Sequence, residues 1–188
     1  MAIEKKTGFT LVELLVVISI SVIAIALTIP TFDALINDSA RRSAIADLVS
    51  ALNLARNTAI SNQTTVTLCP LDENLRCVNN WSLPITVFLD PKRTKQVQNN
   101  SQIIRVVQPP QHGRLIAAAG IRNYFRFRST GMAREAIGNF VWCPDSNNTT
   151  QASQIRINMG GRPQLARDID GNGIIDESSG QDLDCAAL

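Results

Sequence analysis

A chain of 188 residues, 45% of them hydrophobic, has room for one ordinary domain plus an attached element, and it can bury a core without unusual staples. Its 18 Lys and Arg against 16 Asp and Glu leave a formal charge of +2, so bulk charge selects no class of partner. With one histidine, His112, beside Gly113 in an expected loop, and four cysteines suited to pairing, no Ser-His-Asp, Cys-His or zinc-ligand constellation is available, and an enzyme is not expected.

The first element is an apolar run. From Phe9 to Ile29 only Thr10, Glu13, Ser19, Ser21 and Thr28 are polar. As a helix these residues extend about 32 Å, enough to span a hydrocarbon core. Lys5 and Lys6 precede the run and the next base is Arg41, so the positive-inside bias leaves the amino terminus cytoplasmic and sends the rest outward. A cleaved secretory signal is one alternative, because Ala24-Ile25-Ala26 offers small residues for cleavage. Glu13 opposes it, since a carboxylate inside an apolar segment carries a cost on insertion. Thr10 to Glu13 also has the spacing of a capping box, which gives the carboxylate a local explanation. The sharper reading is cleavage after Gly8, which exposes the Phe9 amine one helical turn from Glu13. Two staggered subunits then pair amine with carboxylate, neutralise both charges and fix their axial register. Pro30 removes a helix hydrogen bond and clashes with the preceding turn, so a bend or loosening over 26–30 is expected.

Beyond Pro30 the helix continues in amphipathic form to residue 61. Phe32, Leu35, Ile36, Ile45, Leu48, Val49, Leu52 and Ala55 or Ala59 recur at three-and-four spacing, giving one helix of about fifty residues. The Arg41-Arg42 pair reads as a solvated face. From Thr64 the period changes to that of strands: TTVTLC, PITVFLD, QIIRVV, RLIAA, IRNYFRFR, NFVWC, SQIRINM and RPQLAR, separated by Asn, Pro and Gly clusters. An antiparallel sheet body packed on one long helix is an α+β architecture. Trp81 and Trp142 read as core aromatics. Of three possible cysteine pairings, the short loop Cys69 to Cys77 and a bridge Cys143 to Cys185 that ties down the chain end are favoured, in an oxidising compartment.

Charge is segregated along the second half. Residues 101–167 hold nine arginines and two acids, whereas 168–188 hold six acids and no base. In Tyr124-Phe125-Arg126-Phe127-Arg128, strand alternation places Arg126 and Arg128 on a polar outer face, opposite Phe125 and Phe127. A strip of Arg122, Arg126, Arg128 and Arg162 is a candidate phosphate-binding surface for DNA. The second candidate is Asp168-Ile169-Asp170-Gly171-Asn172-Gly173-Ile174-Ile175-Asp176. It sets Asp168, Asp170, Asn172 and Asp176 at loop positions one, three, five and nine, the Ile174 carbonyl at seven and glycine at six. That is the pattern of a calcium loop over 168–179, with a structural role in ordering the tail. Ser179 stands where the usual twelfth-position acid belongs; Glu177, Asp182 or Asp184 are the alternatives. The bland reading is an Asx-rich turn.

The run KKTGFTLVELLVVISI closely resembles the processing site of type IV prepilins and type II secretion pseudopilins: a basic leader ending in glycine, then phenylalanine, then glutamate at mature position five. The resemblance implies cleavage after Gly8 and methylation of Phe9 by the prepilin peptidase. It also implies a single-pass inner-membrane precursor with a periplasmic body, and extraction into a helical fibre of other pilins or pseudopilins through Phe9, Glu13 and the helix with its Pro30. More loosely, TTVTLCP, a nearby second cysteine, a tryptophan, VFLD and the late Gly160-Gly161-Arg162 resemble the GspH/FimT group of minor pilins and pseudopilins. Some of that group take up DNA through a Gly-Arg-any-Arg signature, but here Gln164 replaces the second arginine. The implied organisation is a cleaved leader 1–8, an assembly helix 9–30, its amphipathic continuation 31–61 and a periplasmic β-rich domain 62–188, in a minor subunit near the fibre tip.

Overall fold

The computed structural model describes residues 10–120, 122–133 and 137–188, with the side chains of 25–32 left aside. The chain divides into two units, residues 1–36 and residues 37–188. Helix α1 (Leu11–Ser61) is continuous across Pro30, so the expected loosening does not interrupt it. Its start is set by Thr10, whose hydroxyl accepts the Glu13 N–H at 3.2 Å as an N-cap. Its end is a Schellman turn: Gln63, at φ 49°, donates to the Ile60 carbonyl while Thr64 donates to that of Ala59.

In the first unit the described side chains of α1 are exposed and most are apolar, from Leu11 and Val12 to Val22 and Ile23. Ser19 and Ser21 turn their hydroxyls back onto the Leu15 and Val17 carbonyls, both at 2.8 Å, so neither leaves a polar atom on the apolar surface. Among the described residues no helix is long and apolar enough to cross a membrane. The expected span, 9–29, runs at both ends into residues or side chains outside the described set.

In the second unit α1 contributes Ile45, Leu48, Ala51, Leu52, Ala55 and Ala59, all buried and all on one stripe. Leu35 and Ile36, read from the sequence as part of that stripe, are exposed and lie before its start. Eight strands follow: β1 (Val66–Pro70), β2 (Ile85–Leu89), β3 (Ile103–Val107), β4 (Arg114–Ala118), β5 (Phe125–Phe127), β6 (Gly138–Cys143), β7 (Ser153–Ile157) and β8 (Pro163–Leu165). They form two antiparallel sheets, ordered β3-β2-β1-β5 and β4-β6-β7-β8, where one sheet body was expected. The division arises at β5, which leaves its sequence neighbours β4 and β6 to pair with each other and joins β1 instead. Phe125 and Phe127 then enter the core with Val66 and Leu68 of β1, and Phe140, Trp142, Ile155 and Ile157 of the second sheet face the same cluster. Trp81 meets Phe125 and Phe140 edge-on, with ring centres 5.9 and 5.3 Å away.

The second sheet is buried on both faces along its central strands β6 and β7. Its alternate β6 residues, Val141 and Cys143, pack with Ala152, Leu183 and Cys185 into a separate small core that Ile116 and Ile174 border. The carboxy-terminal segment therefore serves as a cover for that sheet. Disulfides join Cys69 to Cys77 and Cys143 to Cys185, the favoured pairing, with Cα separations of 5.5 and 5.8 Å.

Candidate functional site

Three groups of residues carry the functional expectations, and the structure treats them differently. Gly8 and Phe9 lie outside the described residues. Glu13 is described, on the first turn of α1 and exposed between Leu11, Val12, Leu14 and Leu15. Its backbone N–H completes one half of the capping box with Thr10; among the described residues its carboxylate accepts no hydrogen bond, so the local explanation leaves that carboxylate available. Position in the first turn also favours a negative charge there.

The arginine strip does not form. Alternation along β5 holds, but the outer face carrying Arg126 is roofed rather than open, because the chain after β2 folds back across it. Arg126 is only 5% exposed, and its guanidinium pairs with Asp90 at 3.0 Å, donates to Thr67 Oγ1 at 3.2 Å and lies over the Tyr124 ring at 4.6 Å. Arg128 is half-buried, and Arg122 and Arg162 are exposed. Of the four, Arg126 is a core ion-pair member and not a phosphate ligand.

Asp90 is the residue that sequence reasoning missed. Its carboxylate accepts from Thr67 Oγ1 at 2.9 Å, Thr94 N at 2.7 Å, Thr94 Oγ1 at 3.3 Å and Lys95 N at 3.1 Å, besides Arg126. A buried carboxylate is tolerable only when its lone pairs are filled in this way. The signal was present as Asp90-Pro91 at a strand end followed by Thr94, the composition of a turn closed by an Asp side chain.

Gly161, which the sequence placed in a Gly-Arg signature, has a local cause. It adopts φ +69°, and a Cβ there would lie 2.2 Å from the Gly131 carbonyl oxygen.

The acidic loop does gather. Carboxylate oxygens of Asp168, Asp170 and Asp176 all lie within 4.8 Å of one another. Asp168 accepts the Gly171 N–H at 2.7 Å and the Gly173 N–H at 2.8 Å, and those backbone donors, Gly173 foremost, hold its carboxyl below the usual range. Gly173, at φ +87°, supplies the sharp turn at the sixth loop position. Asp176 is buried and accepts the Ile169 N–H at 2.6 Å. Asn172 stands apart from the expected ligand set: its oxygen accepts the Ile174 N–H at 2.8 Å, and its NH2 donates to Asp170 and to both oxygens of Asp182. That NH2 bridges carboxylates, as a cation does. Of the alternative acids, Asp182 is the one brought to the loop, through an antiparallel bridge to Asp176. Three clustered carboxylates with Asp182 beside them suit a hard cation of the calcium type.

A long amino-terminal helix packed on antiparallel sheets defines the type IV pilin-like fold. Residues 44–161 match the family described as type II transport protein GspH, and residues 4–29 match the prokaryotic N-terminal methylation motif. The chain belongs to the GspH family of minor pilins and pseudopilins, whose members are structural subunits and not enzymes. In fold it is similar to the type IV minor pilin FimU of Pseudomonas aeruginosa. Identity is 18%, over 68% of this chain and 88% of that one, with a TM-score of 0.54. A second crystal form gives 17%, 67%, 92% and 0.50. The minor pseudopilin EpsH of Vibrio cholerae is 15% identical over 67% of this chain and 94% of that one, at a TM-score of 0.47. No curated protein matches the chain.

Proposed function

We propose that this protein is a minor subunit of a type IV pilus or a type II secretion pseudopilus. It is inserted once in the inner membrane with its amino terminus cytoplasmic and its body periplasmic. The prepilin peptidase cleaves it after Gly8 and methylates Phe9. Its helix then carries it into a fibre of other pilins or pseudopilins, near the tip. The observation that carries the reading is Glu13, an acid on the first turn of an exposed apolar helix whose carboxylate accepts no hydrogen bond among the described residues, within a segment that matches the methylation motif. In an apolar fibre interior that carboxylate needs a cation, and the new Phe9 amine of a neighbour supplies one. Glu13→Ala is expected to leave cleavage intact and to deplete the protein from sheared fibres; a variant recovered there at the wild-type level contradicts the pairing.

Calcium at the acidic loop is the second part of the proposal, resting on the three clustered carboxylates and the glycine turns. Asp168, Asp170 and Asp176 would hold the ion, and the ion would neutralise a segment of six acids and no base. Its role is to order the tail that ends in the Cys143–Cys185 bridge. The burial of Arg126 removes the central member of the DNA strip, and DNA binding is not part of the proposal.

A further inference from the structure

A cavity of about 390 Å³ lies between the Cys69–Cys77 loop and the connection from β2 to β3, lined by Arg76, Cys77, Thr94, Lys95, Gln96 and Asn123. None of these residues belongs to the helix or to the acidic loop. Its walls are tied together: Arg76 and Gln96 form an antiparallel bridge, Cys77 N–H donates to the Lys95 carbonyl at 2.9 Å, and Asn123 Nδ2 donates to the Cys77 carbonyl at 2.6 Å. Leu75, Arg93 and Lys95, with φ of 59°, 58° and 59°, hold backbone conformations that side-chain-bearing residues seldom adopt. They are three of five such residues among those described; Lys95 lines the cavity, and Leu75 and Arg93 are chain neighbours of the lining residues Arg76 and Thr94. Strain of this kind persists only where the surroundings impose it, and it gathers at binding sites. Here Asp90 imposes it by capturing the Thr94 and Lys95 N–H groups, and Arg126 fixes Asp90 from the core. The buried ion pair thus presets the loop that presents Lys95.

Among the described residues the lining has two cations and no acid. Of the two acids that precede Arg76, Asp72 spends one carboxylate oxygen on the Asn74 and Arg76 N–H groups, and Glu73 is exposed and is not a lining residue. A hydroxyl and two amides complete the wall, so the chemistry suits one oxyanion. Among the described residues no aromatic one lines the cavity for a base or sugar ring to stack on, and two cations make no track for successive phosphates. We propose that the cavity receives a carboxylate side chain from an acidic protein segment, with Arg76 and Lys95 pairing its charge. The site stands whether or not the chain assembles into a fibre.

The test is fluorescence anisotropy of a labelled glutamate-rich peptide with the full chain in detergent micelles. Binding is expected, at least tenfold weaker for the same peptide with glutamine in place of glutamate. Arg76→Gln combined with Lys95→Gln should weaken it at least tenfold at an unchanged melting temperature, since both side chains are exposed. Inorganic phosphate and single-stranded DNA should compete less well than unlabelled acidic peptide. No binding, equal binding of the glutamine peptide, stronger competition by DNA, or undiminished affinity in the double variant would each overturn the proposal.

Discussion

Arg126 shows where a local rule stops. Its alternation with Phe125 and Phe127 was legible, because side chains on a strand change face at each step. What covers that face was not legible, because the cover comes from Asp90, 36 positions earlier in the chain. The pair has an energetic signature. Arg126→Ala strands a buried carboxylate and should cost about 3–5 kcal/mol, whereas replacing both partners with apolar residues of similar volume should cost far less. Urea unfolding of the three variants measures the difference; a single variant as stable as wild type would mean that Asp90 is not buried. Asp170→Ala belongs to the same scale. Calcium should raise the melting temperature of the wild type and leave that variant's nearly unchanged, and equal shifts in both would remove the loop as a binding site. The loop's acids and glycines were readable from their spacing. The amide reversal at Asn172 was not, since it depends on Asp182 arriving from the next turn.

At the scale of elements, each β strand overlaps a segment read as a strand from the sequence, with β1 extending past its segment to Pro70 and β6 starting one residue earlier at Gly138. Their grouping was not readable, because the choice of β1 over β4 or β6 as partner for β5 is made by the core that Phe125 and Phe127 enter. The helix stripe was readable from Ile45 to Ala59, where periodic apolar residues meet sheets. It was overextended at Leu35 and Ile36, because periodicity alone does not say where packing begins. The carboxy-terminal cover on the second sheet depends on one covalent link. The Cys143–Cys185 bridge closes a separation of 42 residues and the Cys69–Cys77 bridge one of 8. In the chain-entropy model these stabilise by about 4 and about 2.5 kcal/mol. Serine replacement of the first pair should therefore lower the unfolding free energy more than replacement of the second. The opposite order would indicate that Leu183 and its neighbours hold the cover unaided.

For the whole molecule, the family follows from a body of one helix and two sheets together with an amino-terminal methylation motif. The body packs its own core, and the exposed apolar turns of α1 have no such core around them. That contrast accords with the proposed function, in which the apolar turns find their environment in a membrane and then in a fibre. Every step of the proposed assembly depends on the amine and the carboxylate standing one turn apart on mature chains. Intact-mass and amino-terminal peptide spectrometry of the protein purified from fibres reads that directly. A mature chain beginning with N-methylated Phe9 is the expected result, and a mature chain that keeps residues 1–8, or begins at any other position, contradicts it.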